Sequence, residues 1–232
     1  MHAAIPNPVM DPDSSAAIAR AFLPSRWHYH YVRTKLRSDP LYGGVVAALA
    51  GSDAPLLDLG CGVGLLAHCL RARGMAMAYR GVDNDAGKIA QAYTAAERAK
   101  LADSAFECVD LSRHDALQPL REHCGSVAIL DVLQFLPPDA QTPLIDIAIA
   151  CLTPGARLVI RTGLADASGR ARITRAVDAF SRTLRWMNTG PKRYPMRDAL
   201  DAQLRGHGLD VRFAPLWGRT PFNNWLLVAS RA

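Results

Sequence analysis

Three aspartates close short apolar runs: Asp58 in PLLDL, Asp83 in AYRGVD and Asp110 in AFECVD. Between the first two lies LGCGVGLLA, residues 59–67. Gly60, Gly62 and Gly64 remove Cβ atoms, so the backbone there can turn tightly and approach a ligand closely. A helix that starts at once after such a turn offers unpaired N–H groups. Asp58 could accept from a cationic or N–H-bearing group. Asp83 follows Gly60 by 23 residues, the place where an acid beside a glycine turn accepts from ribose hydroxyls. Asp110 could accept from an adenine amino group. The dinucleotide fingerprint G-x-G-x-x-G would need a third glycine where the chain has Leu65, which argues against a dehydrogenase.

A second concentration is RWHYHY, Arg26–Tyr31. Three readings compete for it: a metal site, an aromatic lid over a ligand, and ordinary helix packing. His28 and His30 are two residues apart, so on a helix they diverge by about 200°. With no carboxylate at ligand spacing, no metal is expected. On a helix Trp27, Tyr31 and Lys35 share one face, and Tyr29, Val32 and Leu36 form the neighbouring, more apolar one. If Val32 and Leu36 anchor it, Trp27, His28, His30 or Tyr31 would look into a pocket. Arg33, Lys35 or Arg37 could meet a ligand carboxylate.

The elements that must position these residues follow from periodicity. Ser25 is placed to cap a helix through about Arg37, and Asp39-Pro40 opens a second that ends near Gly51. Strands are expected at 55–59, in MAYRGVD, SAFECVD, SVAILD and ARLVIR, with helices over 65–74, 85–100 and 139–152. This alternation predicts an α/β fold with a parallel sheet covered on both faces. A basic amphipathic helix is expected over about 167–187. The last segment reads as two strands around a turn at 218–223.

The composition of the 232 residues is that of an ordinary globular chain, 50% apolar and 21% charged. No uncharged apolar run reaches the ~18 residues of a membrane span. The N-terminus does not read as a signal peptide, and a cytoplasmic location is expected. Five cysteines include no C-x-x-C pair and read as reduced, mostly buried thiols. The charge of +6 is uneven: residues 1–154 hold 13 Lys+Arg against 16 Asp+Glu, residues 155–232 hold 14 against 5. A basic C-terminal third suits an acidic partner, and equally a solvated face.

DLGCGVG at 58–64, GVDND at 81–85, VDL at 109–111 and LDVLQFLPP at 130–138 together resemble the class I S-adenosylmethionine (AdoMet) dependent methyltransferases. The resemblance covers about residues 40–232. It implies a Rossmann-like, doubly wound, seven-stranded, mostly parallel sheet with an antiparallel last strand, preceded by N-terminal helices. The implied organisation is a flexible tail at 1–14, a helical lid at 15–52 and an AdoMet-dependent methyltransferase domain at 53–232. AdoMet contacts are implied for Asp58, Gly60, Cys61, Gly62, Gly64, Asp83, Asn84, Asp110 and Leu111. Asp131 and Val132 would lie near its methionine part, with Lys35 or Arg37 at its carboxylate. Gln134 stands where relatives often carry His, which leaves any base role there in doubt. SRWHYHYVRTKLRSDPLYGGVVAAL also resembles the N-terminal region of bacterial methyltransferases of aryl-polyene or fatty-acid-like pathways.

The expected activity is methyl transfer from AdoMet, with S-adenosylhomocysteine as product, to a small aromatic or acidic acceptor, free or on an acyl carrier protein. His30, Tyr31 and His28 are the candidate proton acceptors, in that order. Trp27, Gln134, Arg161, Trp217, Arg219 and Asn224 are candidate acceptor contacts, and residues 186–195 a candidate lid and carrier contact. Asp131-Val132-Leu133-Gln134 lacks the Pro-Pro tetrad of base amino-methyltransferases, which disfavours nucleic acid. RNA or protein methylation, or AdoMet binding without turnover, are the alternatives. A homodimer through the N-terminal helices stays open.

Overall fold

The computed structural model describes residues 9–165, 193–218 and 223–231. The expected helix at 167–187, residues 186–192 of the expected lid, Arg219 and residues 1–8 lie outside them. Seven strands form one sheet: β1 (Leu56–Leu59), β2 (Tyr79–Asp83), β3 (Ser104–Cys108), β4 (Ser126–Leu130), β5 (Arg157–Gly163), β6 (Leu209–Pro215) and β7 (Asn224–Arg231). Their order is β3-β2-β1-β4-β5-β7-β6, and β7 runs antiparallel to both β5 and β6. This is the expected seven-stranded Rossmann-like sheet with a reversed last strand. The order reverses at β1 and β4, and open α/β sheets bind ligands beyond the strand ends at such a switch.

Buried on both faces, the parallel strands read as continuous apolar runs. One face, with Leu57, Leu59, Val127, Ile129, Leu158 and Ile160, packs on α7 (Pro138–Ala150) and α8 (Arg197–Gly206). The other, with Leu56, Tyr79, Phe106, Ala128 and Val159, packs on α3 (Leu41–Leu49), α4 (Leu65–Ala72) and α5 (Ala86–Ala99). A short α6 (His114–Leu117) lies between β3 and β4. The sequence reading gave no helix at α8, where Leu200 and Leu204 repeat at helical spacing and are buried.

The N-terminal helices are α1 (Pro12–Arg20) and α2 (Arg26–Ser38). The expected flexible tail at 1–14 needs correction over residues 9–14. Asp11 caps α1 by accepting from Ser14 N at 2.8 Å, Pro12 takes the first helical position, and Met10 is buried. The D-P-D-S-S composition is therefore a helix start. Met10, Ile18, Phe22, Val32 and Leu36 share a core with Leu65 and Cys69 of α4 and Ala95 of α5. Segment 9–38 is thus packed on the helices that follow β1 and β2.

Candidate active site

The turn after β1 is held from β2. Gly60 N and Cys61 N both donate to Val82 O, at 2.7 and 2.9 Å. Gly60, Gly62 and Gly64 all have positive φ, at 88°, 57° and 74°. They serve different ends. A Cβ on Gly60 would stand 2.1 Å from Val132 Cγ2, and one on Gly64 2.6 Å from the Phe106 ring, so both allow close packing. A Cβ on Gly62 would meet nothing within 4 Å, so its flank is open. Cys61 is buried, and burial pushes its thiol far above the ordinary range.

Asp83 is buried at the end of β2 and accepts from Gly62 N and Asp85 N, both at 3.0 Å. It thereby ties the glycine turn to the start of α5. Asn84 beside it is exposed. Asp110 is exposed beyond β3 and accepts from Ser112 N at 2.9 Å and Ser112 Oγ at 2.7 Å, while Leu111 is buried. Asp58 is buried on β1. The Tyr79 hydroxyl donates to its Oδ2 at 2.5 Å, and Oδ1 is buried with no donor among the described residues. Burial drives the Asp58 carboxyl up, the Tyr79 bond draws it back and the Asp83 charge adds to the rise, leaving it at about 7.

Beyond β4, Asp131 adopts φ 59°, unusual for a residue with a side chain, and its N–H donates to Arg161 O at 2.8 Å. The Arg161 guanidinium pairs with the Asp131 carboxylate through Nη1 and with Asp39 through Nη2, at 3.2 and 3.3 Å. Lys35 donates to Asp39 Oδ2 at 2.9 Å. Two cations and two carboxylates thus join the α2–α3 junction to the ends of β4 and β5. Burial opposes the charge of Lys35 and of Arg161, but the facing carboxylates hold both above their ordinary ranges. Burial likewise works against ionised Asp39, and Arg161 and Lys35 overcome it and hold it low.

The geometry here bears on three expectations. Arg161 spends both Nη atoms on Asp131 and Asp39, and only its buried Nε lacks a partner among the described residues, an arrangement that speaks against its holding an acidic substrate group. Lys35 serves Asp39 before any ligand carboxylate. Arg37 is exposed and lies on the α2 face away from Lys35.

Around α2, the Val32–Leu36 anchor is buried, as that reading required. Ser25 caps the helix, accepting from His28 N, and its hydroxyl also meets His28 Nδ1 at 2.7 Å. Burial lowers the His28 pKa. His30, placed first among the proton acceptors, is exposed and stands edge-on to the Tyr29 ring, off the Lys35 face. Tyr31 is half-buried, lies near Lys35 and Tyr42, and stacks on Trp27 with centroids 5.3 Å apart. Trp27 is 55% exposed. Of the three, Tyr31 is the one placed among the charges at the strand ends.

On the other flank, Gln134 is buried and accepts from Thr162 Oγ1 at 3.0 Å, a structural bond at the end of β5. Trp217 meets Trp225 edge-on, with centroids 5.9 Å apart. Asn224 is buried opposite Gly163 in the β5–β7 register. Among the described residues no cluster of His, Cys, Asp and Glu could hold a metal ion. The sequence reading missed Tyr79, Asp39 and Tyr42. It took Tyr79 as a strand residue and Asp39 as a helix start, and nothing local to either signalled more.

Residues 56–155 match a protein family described as a methyltransferase domain. No curated protein matches the sequence. Among solved structures, an O-methyltransferase family protein from Burkholderia thailandensis superposes with TM-score 0.63 at 20% identity, over 90% of this chain and 61% of that one. The chain thus spans about three fifths of that relative. Magnesium protoporphyrin IX methyltransferase from Synechocystis, with bound S-adenosylhomocysteine, gives 0.62 at 16% identity, over 94% of this chain and 100% of the other. The [4+2]-cyclase SpnF gives 0.58 at 18% identity, over 81% and 78%. Sheet order, glycine turn and matched segment agree: residues 56–155 are similar to a methyltransferase domain, and the chain has the fold of the solved methyltransferases it superposes on.

Proposed function

We propose that this protein transfers a methyl group from AdoMet to a small aromatic acceptor. The observation that carries the cofactor is the state of Asp58. A buried carboxylate oxygen without a donor is costly, and a ligand ammonium group would satisfy it. The open flank of Gly62 and the Asp83 carboxylate behind it suit a nucleoside with vicinal hydroxyls. These residues therefore fit AdoMet, which when bound supplies a methyl group already activated on a sulfonium.

The chain's part is then placement and exclusion of water. Holding the acceptor atom in line with the donor, about 3–3.5 Å from the methyl carbon, supplies several kcal/mol of the barrier. The Trp27–Tyr31 stack supports an aromatic acceptor, since an exposed indole beside a half-buried phenol gives a flat ring a surface to stack on. Where a proton must leave the acceptor, Tyr31 would relay it, giving its own phenolic proton to solvent as it takes the acceptor's. With Arg161 committed to its carboxylates, an acidic acceptor loses its main support among the described residues.

Fold alone does not assign chemistry, as the cyclase with this fold illustrates. The test is calorimetric titration with S-adenosylhomocysteine and with NAD. Methyl transfer from labelled AdoMet to phenols, aryl acids and their carrier-linked forms follows. Micromolar S-adenosylhomocysteine binding, no NAD binding and turnover of one acceptor class support the reading. Binding without turnover of any acceptor leaves a cofactor-binding module, and no binding ends the proposal.

A further inference from the structure

We propose that Tyr79 is a positioning residue for the cofactor: by holding Oδ2 of Asp58 it leaves Oδ1 as the acceptor for the cofactor's amino group. The proposal rests on the AdoMet reading and deepens it.

The arrangement follows from the register of two strands. Asp58 pairs with Gly81 across β1 and β2, and Tyr79 lies two residues before Gly81 on the same face of the sheet. A side chain at 81 would block the path between them. A Cβ there would stand 2.8 Å from Cys61 Sγ and 3.0 Å from Tyr79 Cε1. The missing side chain lets the phenol run along the sheet, under the glycine turn, to the carboxylate. Its ring is fixed by Phe106, with centroids 5.7 Å apart, and is buried. Burial, with Asp58 next to it, holds the Tyr79 pKa well above the ordinary range, so the hydroxyl remains a donor.

A carboxylate has acceptor sites on both oxygens. The phenol occupies one oxygen and fixes the plane of the group. The other is buried and has no donor among the described residues. The groups that face Asp58 are Tyr79 and Asp83 from β2, Cys61 from the turn and Tyr42 from α3. None of these four is a cation. Asp58 therefore exchanges its proton near neutrality, and a bound ammonium group would favour the ionised form. Binding should tighten as pH rises through that range and should release a proton below it. Without the phenol the ionised form loses its hydrogen bond, so the same limb should move to higher pH.

The experiment is calorimetric titration of wild type, Tyr79→Phe and Asp58→Asn between about pH 5.5 and 8. The probes are S-adenosylhomocysteine and 5′-methylthioadenosine, which lacks the amino-acid part. Tyr79→Phe keeps the ring and its packing, and circular dichroism checks its fold. We expect the variant to bind S-adenosylhomocysteine about tenfold more weakly near pH 7, with the gap closing at higher pH. Methylthioadenosine should change by less than about threefold. Asp58→Asn should abolish the pH limb. An unmoved limb in Tyr79→Phe, or equal loss for both probes, overturns the role of Tyr79. A limb that survives in Asp58→Asn overturns it even if Tyr79→Phe does not fold. If wild type binds neither probe, the AdoMet reading itself is at fault.

Discussion

Removing one charge from the Lys35–Asp39–Arg161–Asp131 network should cost far more than a surface ion pair would. The Arg161 side chain is 5% exposed and that of Asp39 13%, so neither is well solvated. Breaking a buried pair from one side leaves the other charge uncompensated, at about 3–5 kcal/mol. Asp39→Asn is the cleaner probe, because the amide keeps the side-chain oxygen that accepts from Leu41 N at 3.0 Å. It leaves Lys35 and one Nη of Arg161 facing a neutral group, and should destabilise by about 3 kcal/mol. Arg161→Met should cost about as much, by exposing Asp131 and Asp39 to each other with only Lys35 to balance them. The double variant should lose about 4 kcal/mol, well short of additivity, because the second change removes a charge the first had orphaned. The assay is urea unfolding of all four proteins, with unchanged slopes required before midpoints are compared. Buried charges are poorly screened, so the coupling should survive in high salt. Single variants within ~1 kcal/mol of wild type, or additivity within ~0.5 kcal/mol, would refute the argument that this network fastens α2 and α3 to the sheet.

Four further outcomes are expected. His68 is 3% exposed, with Nε2 lacking a partner among the described residues, and burial lowers its pKa from 6.5 to about 4. Its folded pKa is depressed, so the stability it contributes is present above 6.5 and lost as pH falls toward 4; near pH 5 the loss is about 2 kcal/mol, and His68→Leu should remove that part of the pH dependence in urea titrations. Gly60→Ala meets Val132 at 2.1 Å and should destabilise by more than ~2 kcal/mol in thermal melts. Gly62→Ala, with open space beside it, should cost about 1 kcal/mol for its positive φ yet weaken S-adenosylhomocysteine binding severalfold. Trp27→Ala should leave thermal stability within about 1 kcal/mol of wild type, and raise KM for an aromatic acceptor with kcat little changed.

The sheet and the glycine turn were legible because their signals are local. An apolar run, a terminal aspartate, alternating glycines and an amphipathic helix lie within twenty residues of one another, and the crossover rule joins them in one way. The start of α1 was misread because prolines, aspartates and serines mark both loose tails and helix starts; Pro12 and Asp11 make the second. The α8 helix was passed over because its polar residues dilute a short Leu200–Leu204 stripe. In RWHYHY the anchor was readable and the chemistry was not. Val32 and Leu36 fix which side of α2 is buried, but six adjacent residues cover almost two turns, and only the docking of the helix decides that Tyr31 faces Lys35 while His30 faces water.

The acceptor side is less legible for a related reason. Arg161 and Asp39 are 122 residues apart, and Tyr79 reaches Asp58 only because Gly81 is bare. From the sequence, a buried arginine at the end of a strand and a free one look alike. The difference is the functional question, since a free Arg161 would attract an acidic substrate and a paired one cannot without giving up a carboxylate. The observed pairing balances two cations with two carboxylates, and a substrate anion there would have to displace Asp39, leaving that carboxylate with Lys35 alone, or Asp131, leaving it without its Arg161 pair. That penalty weighs the choice toward acceptors recognised by shape and stacking. The N-terminal helices then matter twice, because α2 carries the aromatic pair and its C-terminal junction carries the Asp39 that secures Arg161.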